Sequence, residues 1–525
     1  MRGAFTLADR LTAKERLESP GPPRSELFKQ RQSKHSKYNF CMSRTAGLRK
    51  DMHREPDHIV IAAITTPDRR VVPDVNCRVY LPPTMMEQPY LEFDLSESQS
   101  AALIVPEFSM EGRGELAGRM VSIRSEIVIT QGWSKESRGS QFIKCTMPGE
   151  PWDLEVSKRA TESADSVIQK GTFSLSPNRF LTPRLMELFS YTGAIEMKTA
   201  HELAFRLPSG LVHFRRHYRH EKKQSAVLRT SELVAELNEE IERGTLDRLI
   251  QELDDFLLLT SLATRHTCVC RGWTVGTENC ETTFYRNRLA VPRAREIGRQ
   301  ETLIDDPVFK EFVEHAFVSF RQNPGREALR QAMYLVVSSQ EATIEASFIK
   351  CFAALETLLT LYRDGAGLST ILDSDSWATF ENDFKSFIKG HVLFRDNATR
   401  RGLIYEKRGE LNRISFGTAY KKCIESLSLH GFHDDDLWPI VGSGRGLSLV
   451  EIRNRLLHGV VLTPAQEEAL FKALIHLRWC VERMILAFLE WPLEQSLVGR
   501  FLRHMATYNS WKADQESLSS TGAGF

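Results

Sequence analysis

No stretch of this 525-residue chain runs for about 18 apolar residues without a charge, so the sequence predicts no transmembrane helix. The first twenty residues, MRGAFTLADRLTAKERLESP, lack the apolar run of a secretory signal, because Asp9, Arg10, Lys14, Glu15 and Arg16 interrupt them. Asp9, Glu15 and Glu18 also argue against an Arg-rich transit peptide. Charge of one sign is missing too. The 69 Lys and Arg nearly cancel the 68 Asp and Glu, and a net charge of +1 gives no global field toward nucleic acid or membrane. The nine cysteines are odd in number and scattered, which excludes a disulfide framework and predicts reduced thiols in a cytoplasmic protein. No GxxxxGK[ST] phosphate loop and no internal repeat occurs; VGSGRG (441–446) is glycine-rich but follows no parallel-strand signal.

What is there is an ordinary globular composition, 42% hydrophobic and 26% charged, in a length that fits roughly two to four domains. Residues 1–56 carry thirteen Lys or Arg against six Asp or Glu, have no apolar period, and read as a flexible basic tail. From 57 to 228 short runs rich in Val, Ile, Phe and Tyr (HIVIAAIT, VNCRVYLPP, YLEFDLS, MVSIRSEIVITQGW, WDLEVS) alternate with turn residues. That spacing predicts an antiparallel β domain, a sandwich or an open barrel, with one helix near 182–190 (TPRLMELFS). Residues 229–302 read as a connector, helical from Thr230 and then a β-hairpin through HTCVCRGWTVG and CETTFYRNRLAV. From 303 to 495 the pattern is helical, with candidates at 306–321, 325–338, 341–363, 377–389, 400–428, 447–459 and 464–490. Thr463, Pro464 and Gln466 mark the start of the last of these, as cap, first helical residue and capping-box partner. Residues 496–525 read as a polar tail. The fold class expected is therefore α+β and multidomain, β-rich first and all-α second.

The stretch EIRNRLLHG (451–459) interleaves functional and packing groups. On a helix, Leu449, Ile452 and Leu456 form an apolar stripe. Asn454 and His458, four apart, share a face roughly opposite it, flanked by Glu451 and Arg455, with Arg453 beside Leu457 and Gly459 as terminator. The plain interpretation is a solvated face. The sharper one is phosphodiester cleavage: an imidazole moves protons near neutral pH, and a guanidinium holds phosphate oxygens and stabilises charge developing on phosphorus. RNA brings its own nucleophile, the 2′-hydroxyl, so the chemistry asks for no cofactor. An Arg followed five positions later by a His arises about once by chance in a chain this long. It occurs here at Arg215–His220 and at Arg453–His458, and only the second lies on an amphipathic helical pattern.

RNRLLHG resembles the signature of HEPN domains, an Arg, a polar residue, a short spacer and a His late in a helical bundle. SFIKCFAALETLLTLY (347–362) is similar to the first helix of the Apea-like HEPN branch, with Leu355 and Glu356 as its Leu-Glu pair. ELNRISFGTAYKKCIESLSL, DDDLWPIV and SLVEIRNRLLHG follow in that branch's order, so the resemblance covers about 340–495. It implies a HEPN-like bundle and a metal-independent endoribonuclease that cuts RNA, tRNA among the candidates, at a cleft between two copies in a homodimer or higher oligomer. It implies His458 as general acid/base, Arg453 as phosphate clamp, Asn454 as support and Glu356 as an orienting group, and it links the chain to antiphage defence by abortive infection under some trigger. The alternative is a non-catalytic interaction or dimerisation module with a ligand-binding β domain.

Three further patterns carry weaker chemistry. GLVHFRRHYRHEKK (210–223) interleaves aromatic and basic residues; Arg215, Arg216, Tyr218 and Arg219 are RNA-contact candidates, and a charged edge strand is the competing interpretation. His266, Cys268, Cys270 and Cys280 supply four soft ligands for zinc, but the usual two-residue spacer is missing. HDDDLW (433–438) gathers three carboxylates, which Mg²⁺ would accept, though a capping loop is the better fit.

Overall fold

The computed structural model describes residues 54–130, 132–138, 141–160, 167–182, 185–189, 195–199, 203–223, 226–287, 302–340, 342–442, 446–459, 463–499 and 511–519. At 136–138, 141–144, 185–189, 195–199, 218–223, 226–231, 464, 465, 517 and 519 it describes backbone alone. The basic segment 1–53 and residues 443–445 of the glycine-rich VGSGRG lie outside it.

Strands β1 (His58–Thr65), β2 (Val71–Tyr80), β3 (Tyr90–Leu95), β4 (Glu107–Leu116) and β5 (Arg119–Thr130) form antiparallel pairs, with a short helix α1 (Glu97–Ala102) after β3. After the edge strand β6 (Ser134–Arg138) comes β7 (Gln141–Pro151), which pairs with β3 along one side. It also pairs with Val128–Thr130 of β5 on the other. That last pairing closes a six-stranded barrel, where the sequence left a sandwich or an open barrel. Alternation puts one face of each strand inside: His58, Val60, Ala62 and Ile64 of β1 are buried and the residues between them are exposed or half-buried. The closure needs Gly149, since a Cβ there would lie 2.7 Å from Val128.

The strand β5 is long enough to serve twice. Its first half, Met120–Arg124, pairs with β8 (Asp153–Arg159) and carries the hydrogen-bonding onward. The remaining strands are β9 (Val167–Ile168), β10 (Lys170–Leu175), β11 (Leu185–Phe189), β12 (Ile195–Thr199), β13 (Leu203–Leu207), β14 (Gly210–Lys223), β15 (Ala226–Leu237), β16 (Ile241–Glu242), β17 (Cys270–Gly276) and β18 (Cys280–Arg286). A second stretch of sheet runs β8-β18-β17-β10-β15-β14-β13. So the hairpin at 270–286 joins barrel to sheet through its β18–β8 pairing. Two segments with helical patterns are strands. Residues of TPRLMELFS form β11, which pairs with β12. The stretch from Thr230 to Leu237 belongs to β15, paired on both edges with β10 and β14; those backbone bonds outweigh the helix propensity of ELVAEL.

Helix α2 (Leu246–Thr264) packs on the second sheet, with Phe256 against Phe205 and Phe214. The helices that follow are α3 (Phe309–Gln322), α4 (Arg326–Ser339), α5 (Ile344–Ala366), α6 (Ser374–Gly390), α7 (Ala398–Leu411), α8 (Phe416–Ser428), α9 (Leu449–Leu457), α10 (Pro464–Phe488) and α11 (Trp511–Ser519). The single helix expected over 400–428 is two. Asn412 leaves the helix to exchange hydrogen bonds of 2.8 and 3.1 Å with Leu372, and Ser415 caps the new start. The segment expected as a polar tail is in part packed. Leu497 N–H donates to the Leu303 carbonyl at 2.8 Å, Val498 is buried, and α11 sets Trp511 against Trp438. Two hydrophobic cores result: one fills the barrel, and the other unites the second sheet with the helices. All eight described cysteines are buried and unpaired.

Charged groups are buried where α2 meets the bundle. Arg265, its C-cap, stands at φ +49° and aims its guanidinium at Glu482 of α10, Nε to Oε1 at 2.8 Å. Glu252 accepts from Arg321 at 2.7 Å, and Asp255 pairs with Arg326 and with Arg330. Glu482→Gln leaves Arg265 buried without its charge partner and should cost about 3 kcal/mol. Replacing both, as Arg265→Met with Glu482→Leu, should cost less; chemical denaturation followed by tryptophan fluorescence measures both. A cost for Glu482→Gln below about 1 kcal/mol would show that the pair carries no structural role.

His58 is buried inside the barrel, and neither ring nitrogen has a hydrogen-bond partner among the described residues. Burial, reinforced by the charge of Lys158, lowers its pKa, so the folded barrel prefers the neutral ring. The unfolded chain then binds the proton first, and stability falls as pH drops below the ordinary imidazole value and through the lowered one. His58→Phe should flatten that acid slope, measured as denaturation midpoint against pH; an unchanged slope places its origin elsewhere.

Candidate functional site

Helix α9 starts where Ser448 accepts from the Glu451 N–H at 3.3 Å and the Glu451 carboxylate accepts from the Ser448 N–H at 2.7 Å. Glu451, which the sequence pattern set beside the polar face, is therefore a capping group. The start is anchored further by Leu449 N–H to the Pro439 carbonyl at 3.0 Å and Val450 N–H to the Ile440 carbonyl at 3.1 Å. Leu449 and Ile452 are buried and Leu456 packs beside them, the stripe expected from spacing. The helix ends at His458, whose N–H bonds to the Asn454 carbonyl at 3.0 Å, and Gly459 takes φ +77°, the left-handed turn a Cβ would oppose.

On the outer side, Arg453 donates from Nη2 to Glu356 Oε1 of α5 at 3.1 Å and from Nη1 to Asn454 Oδ1 at 3.1 Å. Its guanidinium lies over the Phe352 ring, 5.5 Å from the centroid. Phe352 had no place in the sequence argument, although it sits one helical turn before Glu356 and so shares its face. Three of the four residues singled out thus meet: Arg453, Asn454 and Glu356. His458 stands exposed at the helix end one turn after Asn454, beside Leu457, which is 54% exposed. Arg455 turns away and donates to the Leu518 carbonyl at 2.9 Å. The guanidinium is held on two of its five N–H donors and from beneath by a ring, while 32% of its side chain stays open to solvent. Such an arrangement can present a fixed positive fork to an anion.

The zinc candidate is corrected. Cys270 begins β17 and Cys280 begins β18, so the antiparallel hairpin sets them at opposite ends, about 20 Å apart. Cys268 and Cys270 are buried thiols, their Sγ atoms 3.8 Å from the Ser176 carbonyl and 3.4 Å from the Gly272 carbonyl, and burial pushes both up to about 12. No group of three or more metal-ligating side chains, His266 included, comes together among the described residues. In HDDDLW, Asp434 accepts from Tyr420 at 2.6 Å and Asp436 takes both ends of the Arg483 fork at 2.8 Å. Burial alone would raise the Asp436 carboxyl, but the guanidinium outweighs it and holds it at about 2. Asp434 and Asp436 of that acidic run thus serve the fold.

The basic stretch 210–223 is strand β14. Phe214 is buried against Phe205 and Phe256, so it is core and offers no face to a base. Arg215 and His217 reach Glu236 of β15 at 3.1 and 2.8 Å, and Arg216 is exposed. The side chains of Tyr218 and Arg219 lie outside the described residues. Among the described residues no helix is long and apolar enough to cross a membrane. Comparisons with protein-family models, with curated proteins and with solved structures each found no match.

Arg453 and Glu356 are about a third and under half exposed, at 32% and 43%, so solvent weakens their attraction. Glu356→Ala should cost less than about 1 kcal/mol of stability. A larger loss in a denaturation titration would make the pair a structural tie rather than a functional one.

Proposed function

We propose that the Arg453 site cleaves RNA by internal transesterification. The observation that carries this is the joining of Arg453, Asn454 and Glu356 from two helices on a partly open face, with His458 exposed one turn further on. The 2′-hydroxyl loses its proton to a base and attacks the adjacent phosphorus. The 5′-oxygen leaves and takes a proton from an acid, and the product is a 2′,3′-cyclic phosphate. Arg453 stabilises the added negative charge on the phosphoryl oxygens, while Glu356 and Asn454 hold its guanidinium in place. His458 performs one of the two proton transfers. The other is assigned to His458 of a second copy, which makes the dimer the active form. The resemblance of 340–495 to Apea-like HEPN domains supports the same reading and points to a triggered role in antiphage defence, since free RNase activity would harm its own cell.

A second reading is a docking module without catalysis, favoured by the exposed Leu457 next to His458. One assay separates them: a tRNA pool, chelator present, with wild type, His458→Ala and Arg453→Ala. Wild type should release cyclic-phosphate ends, and each variant should lose on the order of 10²-fold or more in rate while staying folded. Equal cleavage by wild type and His458→Ala overturns the assignment. No cleavage by wild type, with or without lysate of phage-infected cells, favours docking.

A further inference from the structure

The hairpin of β14 and β15 is longer than the sheet that holds it. Among the described residues, neighbouring β13 pairs with β14 only from Gly210 to Phe214, and β10 pairs with β15 only from Leu233 to Leu237. Beyond both points the described residues of the two strands pair with each other alone, from His217↔Glu232 to Lys223↔Ala226. The change in partners coincides with a change in sequence. Val212 and Phe214 are buried, and after Phe214 neither face of β14 carries an aliphatic residue. A strand polar on both faces has nothing to bury, so it leaves the core as a two-stranded ribbon.

The composition of the ribbon and its root is one-sided. From Arg215 to Glu232 there are six Lys or Arg (215, 216, 219, 222, 223 and 229) against Glu221 and Glu232, with His217 and His220 besides, in a chain of net charge +1. At its root Arg215 and His217 share Glu236, and Ser174 bonds Glu232, so both acidic groups there are already engaged. From the root outward, Arg216, Tyr218, His220 and Lys222 share one face of β14, and the register brings Arg229 opposite His220 on that face. The other face carries Arg219, Glu221 and Lys223. Arg216, Arg219, Lys222 and Lys223 thus distribute charge along both faces. Protection of an edge strand accounts for charges on it but does not call for a cationic stretch with an aromatic residue within it.

We propose that the ribbon is a nucleic-acid arm that grips the phosphate backbone of RNA, with Tyr218 at the level of a base. The anionic ligand follows from the ribbon itself; RNA as that ligand rests on the cleavage reading of the Arg453 site. Cations on an arm neutralise phosphates and release counterions, so binding weakens steeply with salt. Sequence preference is expected to be slight, because phosphate contacts position a chain without reading its bases.

The test is binding of the full chain carrying His458→Ala to a fluorescent tRNA transcript, by anisotropy over a salt series. Arg216→Glu, Arg219→Glu, Lys222→Glu and Lys223→Glu are added together. A control of equal charge change is placed on the exposed Lys389, Arg395, Arg400 and Lys407 of α6, α7 and their connection. The ribbon variant should lose on the order of a hundredfold in affinity, with a log–log salt slope smaller by about 0.7 for each contact removed. The control should keep its affinity and slope within about threefold and one contact respectively. Unchanged binding by the ribbon variant, or an equal loss in the control, overturns the proposal. Should the fourfold variant unfold by circular dichroism, Arg→Gln and Lys→Gln at the same positions replace it, with the same slope as readout. Equal binding of a DNA duplex of the same length overturns RNA as the ligand. Because binding is read in a variant without His458, failure of the cleavage reading leaves this result intact, and failure here leaves the cleavage assay intact.

Discussion

The molecule turns on a buried charge. Arg265 and Glu482 meet across 217 residues of sequence, with the carboxylate fully buried and the guanidinium nearly so. Arg265 stands at a helix C-terminus at φ +49°, where glycine is the common occupant and a side chain is strained by roughly 1 kcal/mol. Glycine would relieve the backbone and strand Glu482 without a partner. The strain is therefore tied to the pair. Glu252 and Asp255 of the same helix act alike, Glu252 accepting a guanidinium from α3 and Asp255 two from α4. Ion pairs so buried add little net stability over apolar replacements of equal shape, but a misplaced partner is costly. Their effect is to set one docking of α2, and of the sheet beneath it, against the bundle.

The same helix that carries Glu482 fixes the candidate site. The next residue, Arg483, reaches the other way and holds Asp436, the His433 carbonyl and the Val498 carbonyl, each at 2.8 Å. That pins the loop 433–440. Trp438 in the loop donates to the Leu447 carbonyl at 2.8 Å, and Pro439 and Ile440 accept the first N–H groups of α9. A line of polar contacts thus runs from the core of α10 to the start of the site helix. Its far end, with Asn454, Leu457 and His458, faces solvent. One end rigid and one end open is a reasonable design for holding Arg453 still while leaving His458 reachable.

Much of this was legible where local pattern and final environment agree. The stripe Leu449, Ile452, Leu456, the terminator Gly459 and the start of α10 at Thr463–Pro464 follow from spacing and caps, and the structure repeats them. Legibility failed where distant partners decide. ELVAEL has helical residues, yet two neighbouring strands claim its backbone. Barrel closure depends on three residue pairs between β5 and β7, and neither strand's own alternation names the other as its partner. In the site, Arg453 and His458 were visible as a motif, and the meeting of Arg453 with Glu356 was expected only from resemblance. Phe352 was missed because an aromatic residue on an apolar helix reads as core, and it is core, with the guanidinium lying over its ring. The zinc set failed for the opposite reason, since nearness in sequence across an antiparallel hairpin separates residues that start its two strands.

The openness of the site has a physical consequence for the proposed reaction. A guanidinium 4 Å from a charge gains about 1 kcal/mol in water and about 4 kcal/mol at the effective dielectric of a protein surface region. Arg453, a third exposed, is nearer the first condition in a single chain. Stabilising a transition state on phosphorus requires that water be displaced from around it. RNA can cover the polar part, but Leu457 beside His458 is an apolar surface that a polyanion covers poorly. In the proposed dimer a second protein surface would satisfy both groups at once, burying Leu457, drying Arg453 and bringing a second proton-transfer group. Assembly would then be the step that creates the catalytic environment, and a chain by itself would hold the right residues in the wrong dielectric. In that scheme control acts on association, and the half-built site of the single chain is itself the safeguard.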